Sequence, residues 1–142
     1  MKKLYLLFFM LLLVTKVYPQ DGWFWQNPLP TGNALNDVYF VDGSTGWAVG
    51  AYGTIIKTTD GGDNWSVQST YKTYELKGVC FTDLNHGAAV GFAEAGYGFS
   101  GIILRTTDGG NNWIMQSNGA SCMLNGVFFN DKYNGIVVGG GT

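Results

Sequence analysis

The sequence predicts an all-β repeat protein, on three observations. The stretch Thr58-Thr59-Asp60-Gly61-Gly62-Asp63-Asn64-Trp65 returns almost letter for letter as Thr106-Thr107-Asp108-Gly109-Gly110-Asn111-Asn112-Trp113. The two aspartates Asp60 and Asp108 lie 48 residues apart, a period typical of propellers and solenoids. The composition, with 22 glycines and 15% aromatic residues, suits short strands and tight turns packed by large rings. Four short antiparallel strands per repeat of about 40–45 residues make a β-propeller blade, so two full repeats and a partial third are expected as blades of a larger closed propeller.

Each element has its own justification. Met1-Lys2-Lys3 and the apolar run Leu4 to Val14 read as a secretory signal peptide over residues 1–20, with cleavage expected between Tyr18 and Asp21. Eleven apolar residues fall short of the roughly 20 that a membrane-spanning helix needs, so no transmembrane span is expected in the mature chain. No cysteine follows the run, which argues against a lipid anchor there. Residues 21–34 hold Trp23-Phe-Trp-Gln-Asn27, which resembles the strands that open at Trp65 and Trp113 and reads as the closing strand of a last blade.

The first blade occupies residues 35–75. Leu35–Phe40 alternates apolar and polar positions, Asp42 to Thr45 turns, Gly46–Gly50 is the second strand and Ala51-Tyr52-Gly53 the link. Thr54–Thr59 is the third strand, and Trp65–Ser69 the fourth. The second blade, residues 76–123, repeats this as Leu76–Phe81, Gly87–Gly91, Ile102–Thr107 and Trp113–Ser117. Residues 124–142 start a third with Leu124–Phe129 and Gly135–Gly139. A blade buries its faces only against its neighbours, so the chain reads as the N-terminal part of a longer propeller; were Thr142 the true end, self-association would have to cover the open faces.

Between the third and fourth strands, the tip glycines supply the positive φ of a tight hairpin and the Asp carboxylate accepts hydrogen bonds from its own turn. Thr58, Asp60, Gly62, Asn64 and Trp65, with Thr106, Asp108, Gly110, Asn112 and Trp113, are therefore structural residues. The turn accounts for both carboxylates without a catalytic or metal-binding role. The pattern Thr-x-Asp-x-Gly-x-Asn-Trp resembles the Asp-box, or BNR repeat, of sialidases and many other propellers. Its surroundings, Leu-x-x-Val-x-Phe, Gly-x-Ala-Val-Gly and Ile-x-Lys-Thr-Thr-Asp-Gly-Gly, are similar more specifically to the photosystem II stability and assembly factor family, from about Trp23 to Thr142. The resemblance implies a non-catalytic, exported scaffold that binds a protein or a surface glycan. Assembly of photosystem II in the lumen is one version, and secreted or cell-surface relatives are another; the place is periplasmic, lumenal, cell-surface or secreted.

The second blade carries seven extra residues between its second and third strands, within Phe92 to Ser100. Insertions of this kind emerge on one face, often the binding face, so Phe92, Tyr97 and Phe99 are candidate contact residues. The alternative is that these rings cover the blade's own edge or lengthen a hairpin.

Other chemistry is sparse. Net charge is −2 with only 8 basic residues, which disfavours nucleic acid because no basic stripe can neutralise phosphates. The resemblance to sialidases supplies the competing reading, a glycoside hydrolase whose catalytic residues lie in further blades. Such a site needs three arginines around a carboxylate, and this sequence has only Arg105, at the repeat position of Lys57. His86 is a lone turn histidine, and Asp37, Asp42, Asp83 and Asp131 are scattered over turns and strand edges, where a solvated carboxylate is the default over a calcium ligand. Cys80 and Cys122 match no metal motif and read as small core residues, although an exported chain permits a disulfide. No cofactor is expected.

Overall fold

A computed structural model of the chain describes residues 30–70 and 73–141. The expected signal peptide and the Trp23–Asn27 strand lie outside the described residues. Three antiparallel sheets follow one another in the chain. The first comprises β1 (Leu35–Phe40), β2 (Gly46–Gly50), β3 (Thr54–Thr58) and β4 (Ser66–Thr70) in sequential order. The second comprises β5 (Tyr74–Phe81), β6 (Gly87–Ala95), β7 (Gly98–Thr106) and β8 (Ile114–Met115), again sequential, and the third pairs β9 (Leu124–Phe129) with β10 (Gly135–Gly139).

The alternation of the strands sorts their side chains onto two faces. In the first sheet, Val38, Ala48, Ile56 and Val67 pair across the four strands and share one face. Tyr39, Trp47 and Lys57 share the other. That second face packs on the second sheet, giving a core of Trp47, Val49 and Ile55 against Leu76, Phe81 and Leu104. Its centre is a stack of Trp47 on Phe81, with ring centroids 3.6 Å apart and planes within 11°, closed from the side by Trp113 edge-on at 6.0 Å. Rings of this size bury large apolar areas and dominate the energetics of such a core.

The last glycine of the second strand is required in each repeat for the same reason. A Cβ on Gly50, Gly91 or Gly139 would lie 2.0–2.2 Å from a backbone carbonyl oxygen at the start of the neighbouring strand. Beside each of these glycines the register slips by one residue, a β-bulge in the pairing of the first and second strands.

The departures from the sequence reading concentrate in the second sheet, whose first strand already starts at Tyr74, two residues before the expected boundary at Leu76, because Tyr74 and Glu75 pair with Ala93 and Phe92 of the lengthened β6. The fourth strand of the second sheet covers only Ile114–Met115 rather than Trp113–Ser117, because after Gln116 bonds Ile103 the chain leaves the sheet and Ala120 accepts the Gly101 N–H instead. The seven extra residues do not form a separate loop. They extend β6 and β7 into a regular hairpin, Phe92 opposite Gly101 down to Ala95 opposite Gly98, with Gly96 at φ +60° in the tip.

Candidate functional site

Both Asp-boxes close by one set of bonds. Thr58 Oγ1 donates to Asp60 Oδ1 at 2.8 Å and accepts from the Gly62 N–H at 2.9 Å and the Asp60 N–H at 3.3 Å. Asp60 in turn accepts from the Asn64 N–H at 2.9 Å and from Asn64 Nδ2 at 2.8 Å. Thr106, Asp108, Gly110 and Asn112 repeat every one of these contacts. Gly62 and Gly110, at φ +99° and +91°, hold a backbone conformation that strains any L side chain, and a Cβ on Gly110 would also crowd Trp47 Nε1 at 3.0 Å. The backbone and side-chain amides of Asn64, with the Thr58 hydroxyl, hold the Asp60 carboxyl at about 2, and the same set, led by the Asn112 side chain, lowers Asp108. A carboxylate held ionised by donors from its own turn is unsuited to donate a proton near neutral pH.

The threonine hydroxyl is the buried centre of this motif. Thr58 and Thr106 are each 1% exposed, and each hydroxyl is what joins the glycine N–H to the carboxylate.

The boxes also clasp neighbouring sheets. Trp47 Nε1 and Lys57 Nζ of the first sheet both donate to the Gly109 carbonyl in the second box, at 3.1 and 3.0 Å, and the Lys57 ammonium lies 5.1 Å from the Trp47 ring. Arg105, at the Lys57 position, donates to the Lys132 carbonyl of the next turn. The remaining acids are engaged as well. Asp42, Asp83 and Asp131 each accept two backbone N–H groups of their own turns; these lower the Asp42 and Asp83 carboxyls, and the Asn134 side-chain amide together with them lowers Asp131. His86 contacts Asp83 at 2.9 Å, and Asp37 accepts the Val79 N–H across the sheets at 2.8 Å. Among the described residues no three His, Cys, Asp or Glu side chains gather as a metal site, no helix is long and apolar enough to cross a membrane, and Cys80 and Cys122 are unpaired thiols.

At the opposite end of the sheets, where second strands turn into third strands, lies an open groove of about 670 Å³. Tyr52 flanks one side, Phe92 and Glu94 of the extended hairpin the other, with Tyr74, Glu75 and Lys77 between them. Tyr52 is the one non-glycine residue with positive φ among those described, at φ +57° and ψ +31°, and is 61% exposed. Holding it there costs about 1–2 kcal/mol, strain of the kind found at ligand clamps. Phe92 and Phe99 pack edge to face at 5.1 Å, and Lys77 Nζ lies 5.9 Å from the Phe92 ring. Tyr97 at the tip is fully exposed. The three candidate aromatics are thus split: Phe92 and Phe99 stiffen the hairpin while Phe92 also lines the groove, and Tyr97 stands clear in solvent. Burial pushes the Glu75 carboxyl up, but hydrogen bonds from Asn36 and Lys77 outweigh it and hold the group below its usual range. Tyr52, Tyr74 and Lys77 were not singled out from the sequence, because the groove forms only when the link of one sheet meets the first strand of the next.

Sequential four-stranded sheets closed by Asp-boxes define the protein as a BNR-type propeller chain. Residues 18–140 match the family model described as photosynthesis system II assembly factor YCF48, and the chain belongs to that family. Two solved structures are similar. One, described as YCF48 bound to D1 peptide, is 29% identical with a TM-score of 0.57, covering 70% of this chain and 31% of its own. The other, YCF48 from Cyanidioschyzon merolae, is 27% identical with a TM-score of 0.55, covering 70% and 32%. The chain therefore spans about a third of the length of these structures. No curated protein matches it.

Proposed function

We propose that the chain belongs to an exported, non-catalytic propeller that holds an extended peptide segment of a client protein in the groove between Tyr52 and the β6–β7 hairpin. One observation carries this reading: a strained, exposed Tyr52 faces the aromatic and carboxylate wall of Phe92 and Glu94 across an open groove. The solved relative with a D1 peptide supports a peptide as the occupant. Exposed aromatic rings supply contact area at low entropic cost, and Glu94 offers an acceptor to backbone or basic side chains of the peptide. Absence of catalysis is supported by the engagement of Asp60, Asp108 and Arg105 in the repeat's own bonds. Export is supported by the basic and apolar pattern of residues 1–14.

The test is fluorescence anisotropy with a labelled D1 peptide. Saturable binding that Tyr52→Ala and Phe92→Ala each weaken about tenfold or more, in proteins that keep their melting temperature, is the expected result. Peptide binding insensitive to both substitutions refutes the groove, and turnover of a fluorogenic sialoside refutes the non-catalytic reading.

A further inference from the structure

In an Asn-Gly pair the glycine has no Cβ to hinder its backbone nitrogen from attacking the asparagine side-chain carbon Cγ, the step that costs the side chain its amide. The sequence holds three such pairs, Asn118-Gly119, Asn125-Gly126 and Asn134-Gly135, and all three asparagines are exposed, so exposure does not separate them. Their surroundings do. Asn125 lies inside β9, paired with β10, and Gly126 is packed against Gly78 and Val138, so the backbone is not free to turn and close a ring. Asn134 donates from Nδ2 to both Asp131 oxygens, at 3.1 and 2.9 Å, and from its N–H to Asp131 Oδ1 at 2.8 Å. That ionised carboxylate opposes both the loss of the Gly135 amide proton and negative charge on the Asn134 amide oxygen.

Asn118 has the opposite setting. It belongs to the irregular segment that follows β8, beside an open cleft of about 460 Å³ in the second sheet. Its Nδ2 donates to the Gly101 and Gln116 carbonyls at 3.0 and 3.4 Å, and no carboxylate bonds it among the described residues. The Ala120 N–H donates to Asn118 Oδ1 at 2.8 Å, which folds the side chain back toward Gly119 and places a donor on the atom that takes up charge when Cγ is attacked. The Gly119 N–H meets no acceptor among the described residues, and the space where a Gly119 side chain would stand is empty. We propose that Asn118 is the site at which this protein deamidates while folded. The Gly119 nitrogen gives up its proton and bonds Cγ; the Cγ–Nδ2 bond breaks, and Nδ2 leaves as ammonia, taking up a proton from water. Water then opens the succinimide, at Cγ to aspartate or at the backbone carbonyl to isoaspartate. Either product lacks the Nδ2 donor and turns a carboxylate toward the Gly101 and Gln116 carbonyls. Residues 118–120 cover the edge of β7 beyond β8, since the Gly101 N–H also donates to the Ala120 carbonyl at 2.8 Å. Deamidation therefore loosens that cover and bares a strand edge.

Peptide mapping by tandem mass spectrometry tests this, on the purified protein aged in mildly alkaline buffer with and without urea. In the folded protein Asn118 should convert at least about tenfold faster than Asn125 or Asn134, and in urea the three rates should converge. Conversion of Asn125 or Asn134 as fast as Asn118 in the folded protein overturns the proposal, and so does an Asn118 that stays intact there. An Asn118 that leads by the same ratio in urea overturns it as well, since the fold is then not what selects the site. The consequence has its own readout. In Asn118→Asp, hydrogen exchange at the Gly101 amide should quicken while that at Val90 in β6 is unchanged; equal protection of Gly101 in variant and wild type refutes the loosened edge.

Discussion

Replacing Thr106 by valine isolates the contribution of one buried hydroxyl. The shapes are nearly equal, so packing around this 1%-exposed side chain is retained and only hydrogen bonding changes. The Gly110 N–H, bonded to Thr106 Oγ1 at 2.9 Å, is left without its acceptor in a buried turn. Leaving a buried donor unpaired costs about 1–3 kcal/mol, and the lost bond from the hydroxyl adds about 1. The expected destabilisation is thus about 2–4 kcal/mol, a fall in melting temperature of roughly 6–16 °C at about 3–4 °C per kcal/mol for a chain this size. Calorimetry of Thr106→Val beside Thr107→Val, whose parent residue is exposed, gives the comparison. Thr107→Val should stay within about 0.5 kcal/mol. Thr106→Ser keeps the oxygen and should recover most of the loss. If Thr106→Val melts with the wild type, or Thr106→Ser is as damaging as valine, the hydroxyl does not hold the box.

Three further outcomes follow from the geometry. Phe81→Ala removes the ring between Trp47 and Trp113 and should cost about 3–5 kcal/mol in urea unfolding, whereas Phe128→Ala, 63% exposed, should cost under about 1. Gly91→Ala, whose Cβ would stand 2.0 Å from the Glu75 carbonyl oxygen, should destabilise by at least about 1–3 kcal/mol, while Gly98→Ala, with open space around it, should change little. The Asp60 carboxyl, held at about 2 by Asn64 and Thr58, lies below its unfolded value of about 3.9, so its stabilisation is present above about pH 4 and lost as pH falls toward 2. The urea midpoint should therefore drop across that window, and less so in Asp60→Asn; an identical pH profile in the variant would contradict the assignment.

The parts of this fold that could be read from the residues are those whose partners lie close along the chain. Thr58, Asp60, Gly62 and Asn64 bond one another across at most four residues, so spacing alone announces the turn. The strand order follows from the same repeat. What spacing hides is long-range. Trp47 finds the Gly109 carbonyl across 62 residues, and nothing in Gly46-Trp-Ala-Val-Gly50 says that its indole clasps the next box. The inserted Phe92–Ser100 segment reads equally as a loop or as longer strands, because alternating aromatic and small residues suit both. Only the pairing of Glu94 with Phe99 and the edge contact of Phe92 with Phe99 select the hairpin. The groove was illegible for a further reason: Tyr52 and Tyr74 come from different repeats, and the positive φ of Tyr52 has no residue-type signature.

The two boxes and the contacts between sheets have diverged to different degrees, and the contrast locates where binding can arise. Corresponding bonds in the boxes differ by no more than 0.1 Å, since each donor and acceptor is fixed by its own turn. Between sheets, the same positions hold Trp47, Ala88 and Ile136 on one strand, or Lys57 and Arg105 on another, and the acceptor moves from Gly109 to Lys132. A position that answers only to its neighbour blade can change when that neighbour changes, whereas a box residue cannot without opening the hairpin. The groove at the far end, with Tyr52 on a link that the second sheet replaces by the extended hairpin, is freer still. Chemistry specific to this chain is therefore to be sought at the ends of the second and third strands, and substitutions in the Asp-boxes should report on stability while leaving the peptide affinity of the folded fraction unchanged.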